Sequence, residues 1–162
     1  MAHAHGGVSE PSEPRLLDDR IDSPVGRELV MELLTELAAR YGGPDPDEPS
    51  PADLAPPRGS FLVAWLAGDA VGCGGVRAYD GDVGEIKRMY TRPGTRRRGI
   101  GRTLLDGIEE RARTLGYARL VLETGTRQPE AITLYESFGY RLITSYGQYK
   151  DYPDSRCFAK DL

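Results

Sequence analysis

A short segment rich in arginine and glycine could bind an anion. Residues 96–103 read Arg-Arg-Arg-Gly-Ile-Gly-Arg-Thr, and an apolar spacing typical of a helix begins at Ile100. The first turn of a helix has unpaired N–H groups and a partial positive charge, and glycine lets a ligand approach the backbone. The segment therefore predicts a phosphate or pyrophosphate site. Its candidate residues are Arg96, Arg97, Arg98, Gly99, Ile100, Gly101, Arg102 and Thr103.

The backbone of residues 97–103 is expected to supply most of the contacts with the phosphates. Arg96, Arg97 and Arg102 are expected to assist. Four arginines cannot all face one pyrophosphate, and we expect Arg98 to remain in solvent. A dinucleotide site is disfavoured because the third glycine of that fingerprint is missing.

A second motif, Leu134-Tyr-Glu-Ser-Phe-Gly-Tyr140, ends a helical pattern further along the chain. Arg96-x-x-Gly99-x-Gly101 resembles the Gln/Arg-x-x-Gly-x-Gly/Ala signature of the GNAT family of N-acetyltransferases, which cradles the pyrophosphate of acetyl-CoA. The segment 134–140 resembles the Leu-Tyr-x-x-x-Gly-Phe/Tyr motif of the same family. The two motifs and the elements of residues 61–162 follow the family's order.

The resemblance implies an acetyl-CoA-dependent N-acetyltransferase that moves the acetyl group from the thioester to a primary amine by direct attack in a ternary complex. Acetyl-CoA would be a co-substrate, and no metal would be needed. The acceptor would be a small-molecule or peptide amine. The alternative is a non-catalytic module of the same fold that binds or senses an acyl-CoA. A homodimer is compatible with the habits of the family.

Acetyl transfer needs a neutral amine, donors for the oxyanion and a proton for the leaving thiolate. The resemblance gives the acid role to Tyr135, whose alternative role is packing. Glu85, in the strand before the phosphate turn, is the first candidate base, and Glu123 is the second; an ordered water could replace both. Glu85 could instead be an exposed strand residue paired with Lys87 or Arg88.

The resemblance also implies contacts between the end of one strand and the pantetheine arm. The backbone of Met89, Tyr90 and Thr91 would lie along that arm, and the Met89 N–H would face the oxyanion. Gln128 stands where the family often has Asn, and it would contact the pantetheine or pyrophosphate region. Tyr135 would line the same channel.

The apolar patterns predict an α/β (α+β) fold, and the resemblance implies a GNAT-type mixed, mostly antiparallel sheet of about six to seven strands flanked by about four helices. Strands are predicted at 15–21, 61–66, 71–79, 82–91, 119–124, 140–144 and 156–159. Helices are predicted to begin at Pro24, near Gly99 and near Pro129. A parallel crossover is expected between the strands at 82–91 and 119–124.

The acidic, proline-rich segment 44–59 is predicted to be a loop. Loops of this length are often functional, so it either connects two elements flexibly or lines the acceptor side of the site. Tyr146, Tyr149 and Tyr152 either form a wall of the acceptor pocket or pack on the sheet or on a second subunit.

The 162 residues predict one N-acetyltransferase domain at 15–162 and a disordered tail at 1–14. The net charge of −4 disfavours a nucleic-acid binder, and no apolar run is long enough to cross a membrane. Cys73 and Cys157 are expected to be buried thiols of a cytoplasmic protein. His3 and His5 lack a third ligand nearby, so no metal site is expected.

Overall fold

A computed structural model of the protein describes residues 13–162. A seven-stranded sheet with the order β1-β2-β3-β4-β5-β7-β6 forms its centre. Two single turns of 3₁₀-helix, Pro93–Thr95 and Gly147–Tyr149, accompany the main elements. The main elements are β1 (Arg15–Asp19), α1 (Pro24–Tyr41), β2 (Ser60–Leu66), β3 (Asp69–Asp80), β4 (Val83–Thr91), α2 (Ile100–Thr114), β5 (Arg119–Gly125), α3 (Pro129–Ser137), β6 (Arg141–Ile143) and β7 (Ser155–Asp161).

Helix α1 begins and ends at the residues that its sequence signals predict. Ser23 caps it by accepting a hydrogen bond from the Gly26 N–H at 2.9 Å, and Pro24 occupies the first turn. Gly42 adopts a left-handed conformation with φ 78° and donates to the Ala38 carbonyl. The predicted helix is confirmed at both ends.

Strands β4 and β5 are the one parallel pair of the described sheet, and α2 makes the crossover between them. They pair only where Val83–Glu85 lies beside Arg119–Val121. Beyond this point β5 continues beside β7 as far as Gly125, whereas β4 follows β3. The two strands therefore diverge and leave a gap between them.

A β-bulge in β4 accompanies this divergence. Cys73 of β3 faces Tyr90, but Gly75 faces Lys87, so Gly74 opposes two residues of β4. Arg88, one of those two residues, has a φ of 60°. Such bulges bend the strand that carries the extra residue, which directs β4 away from β5.

Two apolar clusters lie on opposite faces of the sheet. Helices α2 and α3 cover one face, where Leu62, Val76 and Leu104 are fully buried. Helix α1 covers the other face, where Leu29 and Phe61 are buried. Cys73 and Cys157 are both free and buried, as the sequence predicts.

The prediction of about four helices is wrong, because residues 13–162 contain three α-helices. The segment between α1 and β2 contains prolines at 44, 46, 49, 51, 56 and 57. Proline has no N–H donor and clashes with the preceding helical turn, so no helix forms there. The disordered tail predicted at 1–14 lies, except for residues 13 and 14, outside the described residues, and so do His3 and His5.

Candidate active site

The turn between β4 and α2 presents a row of unpaired backbone donors. The N–H groups of residues 97–102 donate to no acceptor within residues 13–162, and the first paired N–H is that of Thr103, which donates to the Gly99 carbonyl at 3.0 Å. Gly99 has a φ of 76° and Arg97 a φ of 70°. Consecutive donors at a helix N-terminus can hold an anion, so this turn forms an anion cradle.

The arginines of the cradle have different partners. Arg96 donates to the Thr91 carbonyl at 3.1 Å and pairs with Glu36 of α1 at 2.8 Å. Arg97 and Arg98 are exposed and form no ion pair with any described residue. Arg102 lies 5.0 Å from the Phe138 ring. The side chain of Arg96 therefore holds the turn against α1, while Arg97 and Arg98 are available to a ligand.

The gap between β4 and β5 leads away from the cradle. Met89 and Thr91 lie on the part of β4 that has no partner strand on the β5 side. The Met89 side chain packs against the α2 face, and the Tyr90 side chain is buried on the α1 face. These packed side chains leave the β4 backbone as the lining of the gap.

A polar cavity of about 270 Å³ opens beside the diverging strands, on the face of the sheet opposite α2. The loop 44–59, β3, β4, β5 and the segment 146–149 all contribute to its walls. Its lining residues are Asp47, Asp53, Arg77, Ala78, Tyr79, Glu85, Lys87, Glu123, Tyr146, Gly147, Gln148 and Tyr149.

Glu85 lies in this cavity, but both of its carboxylate oxygens are occupied. Arg77 donates to one oxygen at 2.9 Å, and the Tyr146 hydroxyl donates to the other at 2.7 Å. The residue is 5% exposed. The alternative of an exposed glutamate paired with Lys87 or Arg88 is therefore wrong, because the partner of Glu85 is Arg77.

Glu123 lies in the same cavity and forms no ion pair with a described residue. Burial raises its pKa to about 7, although the Ser155 hydroxyl, which donates to Glu123 at 2.9 Å, and the charge of Lys87 act in the opposite direction. A carboxyl group that titrates near neutral pH can accept a proton from an ammonium group. Glu123 thus has the properties expected of a general base.

Tyr135 is buried on α3 and lies against Tyr140, with 5.8 Å between the ring centroids. Burial, and after it the negative charge of Glu123, raises the pKa of Tyr135. Its phenol is therefore protonated at neutral pH and can act as a proton donor. Its hydroxyl bonds no other residue within 13–162.

The end of α1 connects the two sides of the gap, which the sequence did not predict. Glu36 bridges Arg96 and Arg40, each at 2.8 Å, and Arg40 also reaches Glu130 of α3 at 2.8 Å. The Gln128 amide donates to the Tyr41 hydroxyl at 3.2 Å. Gln128 therefore lies at the edge of the gap, in contact with α1.

The loop 44–59 joins the cavity through two acidic residues. Asp45 pairs with Arg88 at 2.7 Å and accepts a hydrogen bond from Tyr149. Asp47 pairs with Arg77 and Lys87. The loop thus lines the cavity through Asp47 and Asp53, and its role on the acceptor side stays a prediction. Tyr146 and Tyr149 also line it, whereas Tyr152 is 57% exposed.

Residues 13–162 contain neither a membrane-spanning helix nor a cluster of metal ligands. No helix there combines the length and the apolarity that crossing a membrane would require. No three His, Cys, Asp or Glu side chains in that range form a cluster suited to a metal ion.

Comparison with known proteins places this geometry in a family. The model of the Acetyltransferase (GNAT) family matches residues 27–140. An IAA acetyltransferase from Azospirillum brasilense is 38% identical over 146 residues, which cover 87% of this chain and 95% of that protein.

Solved structures share the fold. A protein from Klebsiella pneumoniae superposes with a TM-score of 0.79 and 27% identity, over 94% of this chain and 99% of that one. A GNAT acetyltransferase from Elizabethkingia anophelis, solved with acetyl-CoA bound, has a TM-score of 0.69 and 20% identity, over 94% of this chain and 100% of that one. The chain belongs to the GNAT family and is an acetyltransferase.

Proposed function

We propose that this acetyltransferase moves the acetyl group of acetyl-CoA to a primary amine by direct attack in a ternary complex. The observation that carries the proposal is the gap between β4 and β5, which joins an anion cradle to a cavity containing a carboxyl group with a pKa of about 7. A long ligand with phosphates at one end and a thioester at the other fits this arrangement.

The cradle would bind the pyrophosphate through the free N–H groups of residues 97–102, with Arg97 nearby and Arg98 in solvent. The β4 backbone from Met89 to Thr91 would lie along the pantetheine arm. This arrangement would place the thioester near Glu123 and Tyr135, because both lie where the strands diverge. A fold neighbour that was solved with acetyl-CoA bound supports acetyl-CoA as the co-substrate.

In the transfer, Glu123 would accept a proton from the acceptor's ammonium group, and the neutral nitrogen would attack the thioester carbon. The Met89 N–H would donate to the developing oxyanion. When the carbon–sulfur bond breaks, Tyr135 would give its proton to the leaving thiolate. As the intermediate collapses, the attacking nitrogen would lose its second proton to solvent. The products would be an N-acetyl amide, CoA and one net proton, and the proton on Glu123 would return to Tyr135 through solvent.

Glu123 replaces Glu85 as the preferred base because of their partners. Arg77 and Tyr146 bind both oxygens of Glu85, whereas the one hydrogen bond of Glu123 leaves its second oxygen free among the described residues. A cavity of about 270 Å³ suits a small-molecule acceptor better than a folded protein. The cytoplasmic location stays a prediction, supported by the free thiols, and the homodimer stays a prediction.

Calorimetric titration with acetyl-CoA and CoA, followed by thiol release across a panel of amines, tests the proposal. We expect binding of both nucleotides and amine-dependent release of CoA. Glu123→Gln should bind acetyl-CoA normally and lose most turnover. Binding without turnover of any amine would favour the sensing module instead, and no binding would contradict the cradle itself.

A further inference from the structure

Two cations line the acceptor cavity, and the loop residue Asp47 pairs with both. The Arg77 guanidinium lies 3.0 Å from the Asp47 carboxylate and 2.8 Å from that of Glu85. The Lys87 ammonium forms an ion pair with the same oxygen of Asp47. Each cation facing the cavity within the described residues therefore already has a carboxylate partner.

Asp47 is buried and charged, so it keeps Arg77 and Lys87 in ion pairs. Its side chain is 9% exposed, and Gln148 donates to its second oxygen. Burial alone would raise the pKa of Asp47, but Lys87 and Arg77 lower it, so the carboxylate is charged at neutral pH. Desolvated charge pairs of this kind are costly to separate.

These pairs decide which charges an acceptor can bring into the cavity. A carboxylate on the acceptor would find no unpaired cation on the lining and would lie among Asp47, Glu85 and Glu123. Like charges brought together in a partly desolvated site repel each other and disfavour binding. An ammonium group finds the opposite situation, because four carboxylates and two cations line the cavity.

We infer that Asp47 is a specificity-determining residue that makes the cavity select primary amines without a carboxylate and reject the corresponding amino acids. The inference rests on the proposed function, since it assigns a substrate class to the same site. Asp47 acts through Arg77 and Lys87 and does not itself touch the reacting atoms.

Matched pairs of acceptors that differ only in one carboxylate provide the first test. The pairs are ethanolamine and serine, tyramine and tyrosine, and cadaverine and lysine, each measured as kcat/KM for CoA release from acetyl-CoA. We expect the decarboxylated member to be preferred at least about tenfold in every pair that reacts. Equal rates within the pairs would overturn the inference while leaving the acetyltransferase activity established.

The variant Asp47→Asn provides the second test, because it frees Lys87 to receive a substrate carboxylate and leaves Arg77 with Glu85 as its only partner. We expect the preference for the decarboxylated amines to fall about tenfold or more, through faster reaction of the amino acids. The control is Glu48→Gln, which removes the same charge from an exposed neighbour that forms no ion pair within the described residues. A purely structural effect would slow both members of a pair equally and leave their ratio unchanged.

The outcomes separate this inference from the proposed function. If no member of any pair reacts although another amine of the panel does, the inference fails and the proposed function stands. If no amine releases CoA, the proposed function fails as well. If the amino acids react as fast as the amines, or if Asp47→Asn folds and keeps the wild-type ratio, the inference alone fails. Should Asp47→Asn not fold, equal rates within the matched pairs would still overturn the inference with the wild-type protein.

Discussion

Two glutamates of the same cavity show how environment separates residues of one type. Arg77 and Tyr146 bind Glu85, whereas only the neutral Ser155 hydroxyl contacts Glu123. The sequence ranked Glu85 first because it lies in the strand before the phosphate turn. It could not reveal the partners, since Arg77 comes from the neighbouring strand and Tyr146 from a distant segment.

The pKa of Glu123 also predicts a pH-dependent cost in stability. The folded state holds this proton more tightly than the unfolded state, with a pKa of about 7 against 4.5. The contribution of Glu123 to the free energy of unfolding is therefore fully present below about pH 4.5. It is lost as the pH rises through 7, which lowers the free energy of unfolding by up to about 3 kcal/mol. Glu123→Gln should remove this loss. The variant should therefore be more stable than wild type at about pH 8.5, and the difference in stability should be smaller at about pH 5.

Urea unfolding of both proteins at the two pH values measures this effect. Glu48→Gln serves as the control because Glu48 is exposed. A stability difference between Glu123→Gln and wild type that does not change with pH would contradict a raised pKa for Glu123.

Ser155 should tune the same titration. Its hydroxyl donates to Glu123 at 2.9 Å and stabilises the charged carboxylate. The other groups around Glu123 are Lys87, whose charge lowers its pKa, and Asp45 and Glu85, whose charges raise it. Ser155→Ala should raise the pKa, so the acid limb of the kcat/KM profile should move to higher pH and activity at pH 7 should fall severalfold.

Ser155→Thr keeps the donor and should keep the wild-type profile. Ser60→Ala, which removes a buried hydroxyl from β2, is the matched control away from the cavity. If the acid limb of the kcat/KM profile moves equally in Ser60→Ala, or does not move in Ser155→Ala, then the Ser155 hydroxyl does not lower the pKa of Glu123.

At the scale of elements, the anion cradle depends on the backbone conformation at the start of α2. Gly99 has a φ of 76°, which disfavours residues with a side chain, although no atom lies within 4 Å of where its Cβ would be. Gly99→Val should therefore displace the free N–H groups and weaken CoA binding at least about tenfold, by calorimetric titration.

Gly116, near the other end of α2, offers a matched control. Its φ is 89°, and its Cβ would also lie in open space. Gly116→Val should carry similar backbone strain far from the cradle, so it should lower stability without changing CoA affinity. Equal losses of affinity in the two variants would show that strain acts globally and not on the cradle.

Most elements could be predicted from the sequence because local signals define them. Ser23, Pro24 and Gly42 mark the ends of α1, and the two motifs indicate the family. The resemblance implies a free backbone at residues 89–91, but the bulge opposite Gly74 that directs β4 away from β5 could not be predicted, since it depends on the pairing of two strands. The contacts of Glu36 and Arg40 likewise depend on packing between segments that are distant in sequence.

At the scale of the whole molecule, the sheet consists of two parts joined at a narrow seam. Strands β1–β4 form one part and β5–β7 the other, and only Val83–Glu85 pairs across the seam with Arg119–Val121. At the open end, the end of α1 joins them through Glu36 and Arg40. A ligand that lies between β4 and β5 should therefore stabilise the entire fold.

Thermal unfolding tests this last prediction. At a ligand concentration of about 100 times Kd, binding adds about 2.7 kcal/mol, which corresponds to a Tm increase of about 5 to 10 °C in a domain of this size. Adenosine 3′,5′-bisphosphate has phosphates but no pantetheine arm, so at equal concentration it should raise Tm much less than CoA. If both ligands raise Tm equally, the gap contributes nothing to binding, and the pantetheine arm must lie elsewhere than between the two parts of the sheet.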